Sequence, residues 1–102
     1  MESMIEFEST NYEDLEEEAR HRAVEVSVSI VKAICNGLDA GADVIALGFM
    51  KNINLDINVN KDKYLEALTL NLSRVEEAEE FELCQRASVW IEKLILEQEY
   101  EQ

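Results

Sequence analysis

The chain of 102 residues has no proline, three glycines, one histidine and two cysteines. Bases are also scarce, since nine lysines and arginines stand against 23 aspartates and glutamates, which gives a net charge of −14. Lys and Arg supply most phosphate and anionic headgroup contacts, so this composition argues against direct binding of nucleic acid or of an anionic membrane surface. No apolar run approaches the ~18 residues of a membrane span, and the acidic N-terminus is not typical of a signal peptide. We therefore expect a cytoplasmic protein.

The residues that usually carry chemistry are few and scattered. Cys35 and Cys84 each lie in an apolar-periodic segment without a C-x-x-C spacing, which predicts two reduced, buried thiols and no zinc site. His21 lies between two arginines, and the sequence identifies no partner for a catalytic dyad. Glycine-rich phosphate loops and nucleophile elbows are absent from the sequence. The first interpretation is therefore a protein without catalytic residues or cofactors.

Apolar spacing predicts an all-α fold, with residues 1–102 forming a single helical domain. Thr10 with Glu13, and Ser73 with Glu76, form capping-box patterns that place two helix starts. Asn36-Gly37 predicts the end of the first helix. The expected structure is a compact bundle of about four helices at 11–36, 39–51, 61–72 and 74–99.

Three segments leave alternatives open. Residues 24–30 alternate between apolar and polar side chains, as strands do, but the flanking period of 3.6 favours a helix. Residues 53–60 also alternate and predict a strand or an extended connection. Because residues 68–72 alternate too, a short β-hairpin over 53–72 is the alternative to a helix at 61–72. Residues 4–7 predict either a short extended arm or a loose segment.

The charge is concentrated towards both ends of the chain. Residues 1–22 carry a net charge of −6 and residues 76–102 carry −7, whereas residues 61–75 carry +1. Concentrated charge of one sign attracts partners of the opposite sign and speeds their association. An acidic surface that serves only solubility is the alternative. The predicted partner-binding residues are Glu13, Asp14, Glu16, Glu17, Glu18, Glu76, Glu77, Glu79, Glu80 and Glu82.

These observations favour a non-enzymatic interaction protein that binds and inhibits a basic protein partner. Immunity proteins, antitoxins and phage-encoded inhibitors that imitate DNA share this type of composition. Residues 23–35 and 44–50 offer more apolar surface than one short bundle covers, so we also expect a homodimer or a higher homo-oligomer.

An alternative prediction is a Mg²⁺ site. Glu13 with Glu17, and Asp39 with Asp43, are each spaced by one helical turn, so two antiparallel helices would bring four carboxylates together. Over residues 13–74 the chain resembles MazG-type all-α nucleoside triphosphate pyrophosphatases. Glu13-Asp14-x-x-Glu17 resembles their EExxE motif, and Ala40 to Asp43 lies at their ExxD motif, with Ala40 in place of the glutamate. The resemblance implies Mg²⁺-dependent hydrolysis of nucleoside triphosphates to monophosphates and pyrophosphate.

Overall fold

A computed structural model describes residues 4–100, and it combines four α-helices with a three-stranded sheet. The prediction of an all-α fold is therefore wrong, because the chain folds as a mixed α/β protein. The elements in chain order are β1 (Ile5–Phe7), α1 (Tyr12–His21), α2 (Ala23–Asp39), β2 (Val44–Met50), β3 (Leu55–Asn60), a 3-10 turn (Lys61–Lys63), α3 (Tyr64–Glu77) and α4 (Phe81–Tyr100).

The sheet has β2 at its centre. β1 pairs with β2 in parallel, and β3 pairs with β2 in the antiparallel direction. The predicted helix at 39–51 is thus the end of α2 followed by the central strand. The alternative hairpin over 53–72 is also wrong, because residues 55–60 pair with the preceding segment 44–50 and not with the following one. Of the two alternatives for residues 4–7, the structure has the extended one, as strand β1 at Ile5–Phe7.

Gly48 allows β1 to approach the central strand. A Cβ atom at this position would lie 2.9 Å from the Phe7 ring and 3.1 Å from the Ile5 carbonyl oxygen. Both of these β1 side chains are buried with Met50 in a small cluster, which α1 covers through Leu15. Gly48 is therefore needed for the close packing of β1 against β2.

The predicted first helix at 11–36 is two helices with a break at Arg22. The Arg22 Nη1 group donates a hydrogen bond to the Glu6 carbonyl oxygen at 2.9 Å, so the break ties the helix junction to β1. At the start of α1, the side chain of Asn11 accepts from the Asp14 N–H at 2.9 Å. The cap therefore lies one residue after the predicted Thr10.

α2 continues past the predicted stop at Asn36-Gly37 and ends at Asp39. Gly41 adopts φ +73° there, and the Ala42 N–H donates to the Gly37 carbonyl at 2.9 Å. This is a Schellman ending, in which a glycine takes the left-handed position. Gly37 instead serves packing, because the Ile45 side chain of β2 fills the space of its absent Cβ.

The helix predicted at 61–72 is confirmed and extends to Glu77 after the 3-10 turn. Ser73 consequently lies inside α3 and caps nothing, so the second predicted capping box is wrong. The last predicted helix, 74–99, is divided by a turn at 78–80, and α4 begins at Phe81.

α2 and α3 run antiparallel in the main core. Ser27, near the start of α2, donates to Asn71 Oδ1 of α3 at 2.8 Å, and the Tyr64 hydroxyl donates to the Ala42 carbonyl beyond the end of α2 at 2.9 Å. Part of the apolar surface that suggested an oligomer is buried here within one chain, as Val31, Ile34 and Cys35 show, whereas Val24 and Val44 are exposed.

Candidate partner-binding surface

The turn between α3 and α4 gathers five glutamates within seven residues. All five side chains are exposed, and within residues 4–100 none has an ion pair or a side-chain hydrogen bond. We call this set the acidic corner; it consists of Glu76, Glu77, Glu79, Glu80 and Glu82. Half of the predicted partner-binding residues are therefore brought together around one turn.

Backbone geometry positions the acidic corner. α3 ends in a Schellman arrangement, in which the Glu79 N–H donates to the Glu76 carbonyl at 2.9 Å and the Glu80 N–H donates to the Val75 carbonyl at 3.3 Å. Glu79 takes the left-handed position with φ 59°, where an L side chain is strained by ~1–2 kcal/mol. The Glu80 carbonyl then accepts from the Cys84 N–H at 3.0 Å and starts α4.

Phe81 lies in the middle of the acidic corner, and its side chain is 68% exposed. Both Phe81 and Leu83 are apolar positions of the helix predicted at 74–99, so the sequence did not indicate that Phe81 is exposed. The turn at 78–80 interrupts that helix, and Leu83 is buried whereas Phe81 is not. The surface therefore combines carboxylates with one large aromatic group.

The carboxylates of the acidic corner act on a nearby thiol. Partial burial raises the pKa of Cys84, and the negative charges of Glu76 and Glu80 raise it further. Glu76 at the end of α3 and Glu80 in the turn therefore both lie near Cys84. Cys84 is half-buried and Cys35 is buried; both are free thiols, as predicted.

The other predicted acidic segment lies on α1. Glu13, Glu16 and Glu17 are exposed, and Glu17 lies 3.8 Å from the exposed His21. Asp14 accepts a hydrogen bond from the Asn11 side-chain amide at 3.0 Å. α1 covers the small β1 cluster, whereas the acidic corner adjoins the main core at Val75 and Leu83, so the two predicted segments lie over different parts of the core.

Glu18 joins the strand β1 to the helix junction and is the most constrained carboxylate of the predicted set. Its side chain, 19% exposed, accepts from the Glu8 and Ser9 N–H groups at 3.0 and 2.9 Å, from the Ser9 hydroxyl at 2.5 Å and from Arg22 at 3.1 Å. Burial raises its pKa, but the Ser9, Glu8 and Arg22 hydrogen bonds outweigh burial and lower it to about 2. This carboxylate is therefore used inside the fold.

The four carboxylates of the alternative Mg²⁺ site are not arranged as predicted, because segment 39–51 does not form a helix antiparallel to α1. Asp39 accepts a hydrogen bond from Trp90 Nε1 at 2.9 Å and another from Arg86 Nη2 at 2.9 Å. Both bonds lower the pKa of Asp39, and the bond from Trp90 has the larger effect. Glu13 and Glu17 lie on α1, and Asp43 precedes β2. Within residues 4–100, no three His, Cys, Asp or Glu side chains are placed to hold a metal ion.

Comparison with protein families, with characterised proteins and with solved structures found no match for this chain. In the described part of the chain, none of the helices is both long and apolar enough to cross a membrane.

Proposed function

We propose that the protein binds a basic protein partner through the acidic corner and inhibits that partner by covering its cationic surface. The observation that carries this proposal is the set of five exposed carboxylates around the α3–α4 turn, which have no ion pair with any residue of the described range 4–100. The partner is of the kind that immunity proteins, antitoxins or DNA-mimicking phage inhibitors neutralise. The two free thiols are in keeping with a cytoplasmic location.

Electrostatics and packing have separate roles in this contact. The carboxylates steer a basic partner and raise the association rate, which falls as salt screens the charges. Phe81, exposed among these carboxylates, supplies the apolar anchor that charge alone lacks. Aromatic residues at the centre of an interface typically contribute most of its binding energy.

The conformation of Glu79 also supports a binding role. Glycine would occupy φ 59° without the strain that a glutamate side chain brings. The chain nevertheless places a carboxylate at this position, beside four others that repel it. Strained residues of this kind are frequent at functional sites.

The test compares two variants with the same change in net charge. One variant carries Glu76→Lys, Glu79→Lys and Glu80→Lys at the acidic corner, and the control carries Glu13→Lys, Glu16→Lys and Glu17→Lys on α1. A partner captured from the host by the unmodified protein is purified, and its affinity for each variant is measured at several salt concentrations.

We expect the corner variant to lose about 100-fold in affinity and most of the salt dependence, and the α1 control to lose less than about tenfold. Phe81→Ala should weaken binding about 30-fold while leaving the salt dependence unchanged. Equal losses in both charge variants, or a larger loss in the α1 control, would contradict the proposed surface.

A further inference from the structure

β3 is an edge strand with an open side. Its six residues pair with β2 on one side, and among residues 4–100 no strand lies on the other. Successive residues of a strand direct their N–H and C=O groups alternately to the two sides, so about half of the β3 backbone groups face outward without a strand partner. Such an edge can pair with another strand.

The usual protections of an edge strand are missing from β3. The chain has no proline, and the irregularity of the hairpin lies on β2, between Ala46 and Gly48, where it leaves β3 regular. Asp56 is the only charged residue of β3. Leu55 at its start and Ile53 just before it are exposed apolar side chains. The open edge of β3 is therefore suited to pairing with a strand of another chain.

Charge indicates which chain pairs with β3. Residues 51–63 contain three lysines and two aspartates, a net charge of +1, which leaves −15 for the rest of the chain. Two copies repel each other across most of their surface, and this repulsion is smallest where the β3 edges meet. A strand also complements itself about a two-fold axis, because antiparallel pairing needs only the same outward N–H and C=O groups on each copy.

We propose that two copies of the protein associate edge to edge through β3, in antiparallel orientation, and join their three-stranded sheets into one. A two-fold axis perpendicular to the joined sheet keeps the core faces of both copies on one side and pairs residues of the same face, so the axis passes between the two Asn58 residues. Asp56 of each copy then lies opposite Asn60 of the other.

Asn58 provides the test, because it is exposed, lies opposite Ala46 and meets its own copy near the axis. Asn58→Asp and Asn58→Lys each put two like charges together at the axis. The two substitutions change the net charge in opposite directions. A general effect of net charge would therefore strengthen the dimer of one variant and weaken the dimer of the other. Ser88→Asp and Ser88→Lys, at an exposed position on α4, are the matched controls.

The dissociation constant is measured by sedimentation equilibrium from about 1 µM to 1 mM protein, with circular dichroism to verify folding. We expect a dimer that tightens with salt, and a loss of about tenfold or more in both Asn58 variants. The Ser88 variants should differ from the unmodified protein by less than about threefold. A monomer at every concentration, or a dimer that both Asn58 variants leave intact, would overturn the proposal.

Discussion

Replacing Glu18 with glutamine tests the internal role that the structure gives to this carboxylate. The pKa of about 2 in the folded protein, against an ordinary value of 4.5, corresponds to at most ~3 kcal/mol of folding free energy. Because the side chain is 19% exposed, we expect Glu18→Gln to lower the free energy of unfolding by about 2 kcal/mol at pH 7. In a domain of this size, that loss lowers Tm by about 10 °C.

The pH dependence of this effect has a definite sign. A carboxylate whose pKa is lowered by folding stabilises the protein fully above its unfolded pKa, and the stabilisation disappears as the pH falls through the folded pKa. The difference in stability between the unmodified protein and Glu18→Gln should stay constant above pH 4.5 and shrink towards pH 2. Urea unfolding at a series of pH values measures this difference directly.

Glu17→Gln is the matched control, because it removes the same charge one residue earlier from an exposed side chain. Its only described contact is the 3.8 Å approach to His21, so it should change the free energy of unfolding by less than ~0.5 kcal/mol. If the Glu18 and Glu17 variants are equally stable at pH 7, or if the Glu18 effect persists unchanged at pH 2, the reasoning about this network is refuted.

Three further substitutions test individual packing and backbone features. Glu79→Gly should raise the free energy of unfolding by about 1 kcal/mol in urea unfolding, because it relieves the left-handed strain at φ 59°; a loss of stability would contradict that strain. Gly37→Ala should destabilise by about 1–3 kcal/mol despite the better helix propensity of alanine, since its Cβ collides with Ile45, and Ile45→Val in the same chain should recover part of the loss in Tm. Asn71→Leu should cost about 1–3 kcal/mol by leaving the buried Ser27 hydroxyl without its acceptor, and adding Ser27→Ala should restore stability if this explanation holds.

The helices that pack on a common core were predictable from the sequence. The spacing of Val31, Ile34 and Cys35 follows one helical face, and all three are buried, which settles the helix-or-strand alternative at residues 24–30 in favour of the helix. The alternation of residues 53–60 likewise predicted an extended segment. In both cases local periodicity agrees with the tertiary packing.

The strand β2 was mistaken for a helix because its pattern is ambiguous. Ile45 packs on α2, whereas Met50 packs with β1, and the irregularity between Ala46 and Gly48 changes the alternation along the strand. Short apolar runs cannot be assigned by periodicity alone. The apolar run of β2 is seven residues long, and its partner strand β1 begins 39 residues earlier in the chain. The pairing with β1 that makes this run a strand is therefore a non-local contact.

The acidic corner was predictable as a set of charges but not as a surface. The cluster at 76–82 is visible in the sequence, whereas the turn that exposes Phe81 depends on Glu79 adopting a conformation that favours glycine. No residue between 76 and 80 is a glycine or proline, so nothing local marked the end of α3. The role of Glu18 was hidden in the same way, because most of its donors come from the segment before α1.

Salt separates the two proposed contacts of this protein. A partner at the acidic corner meets unlike charge, so its affinity falls as the ionic strength rises. A second copy at β3 brings together two chains with a net charge of −14 each, so screening strengthens the dimer. A single salt series that follows both binding equilibria therefore distinguishes the two contacts. If partner binding and dimer formation both weaken with salt, the dimer contact lies on charged surface and not at β3. If both strengthen with salt, the partner does not bind through the carboxylates of the acidic corner.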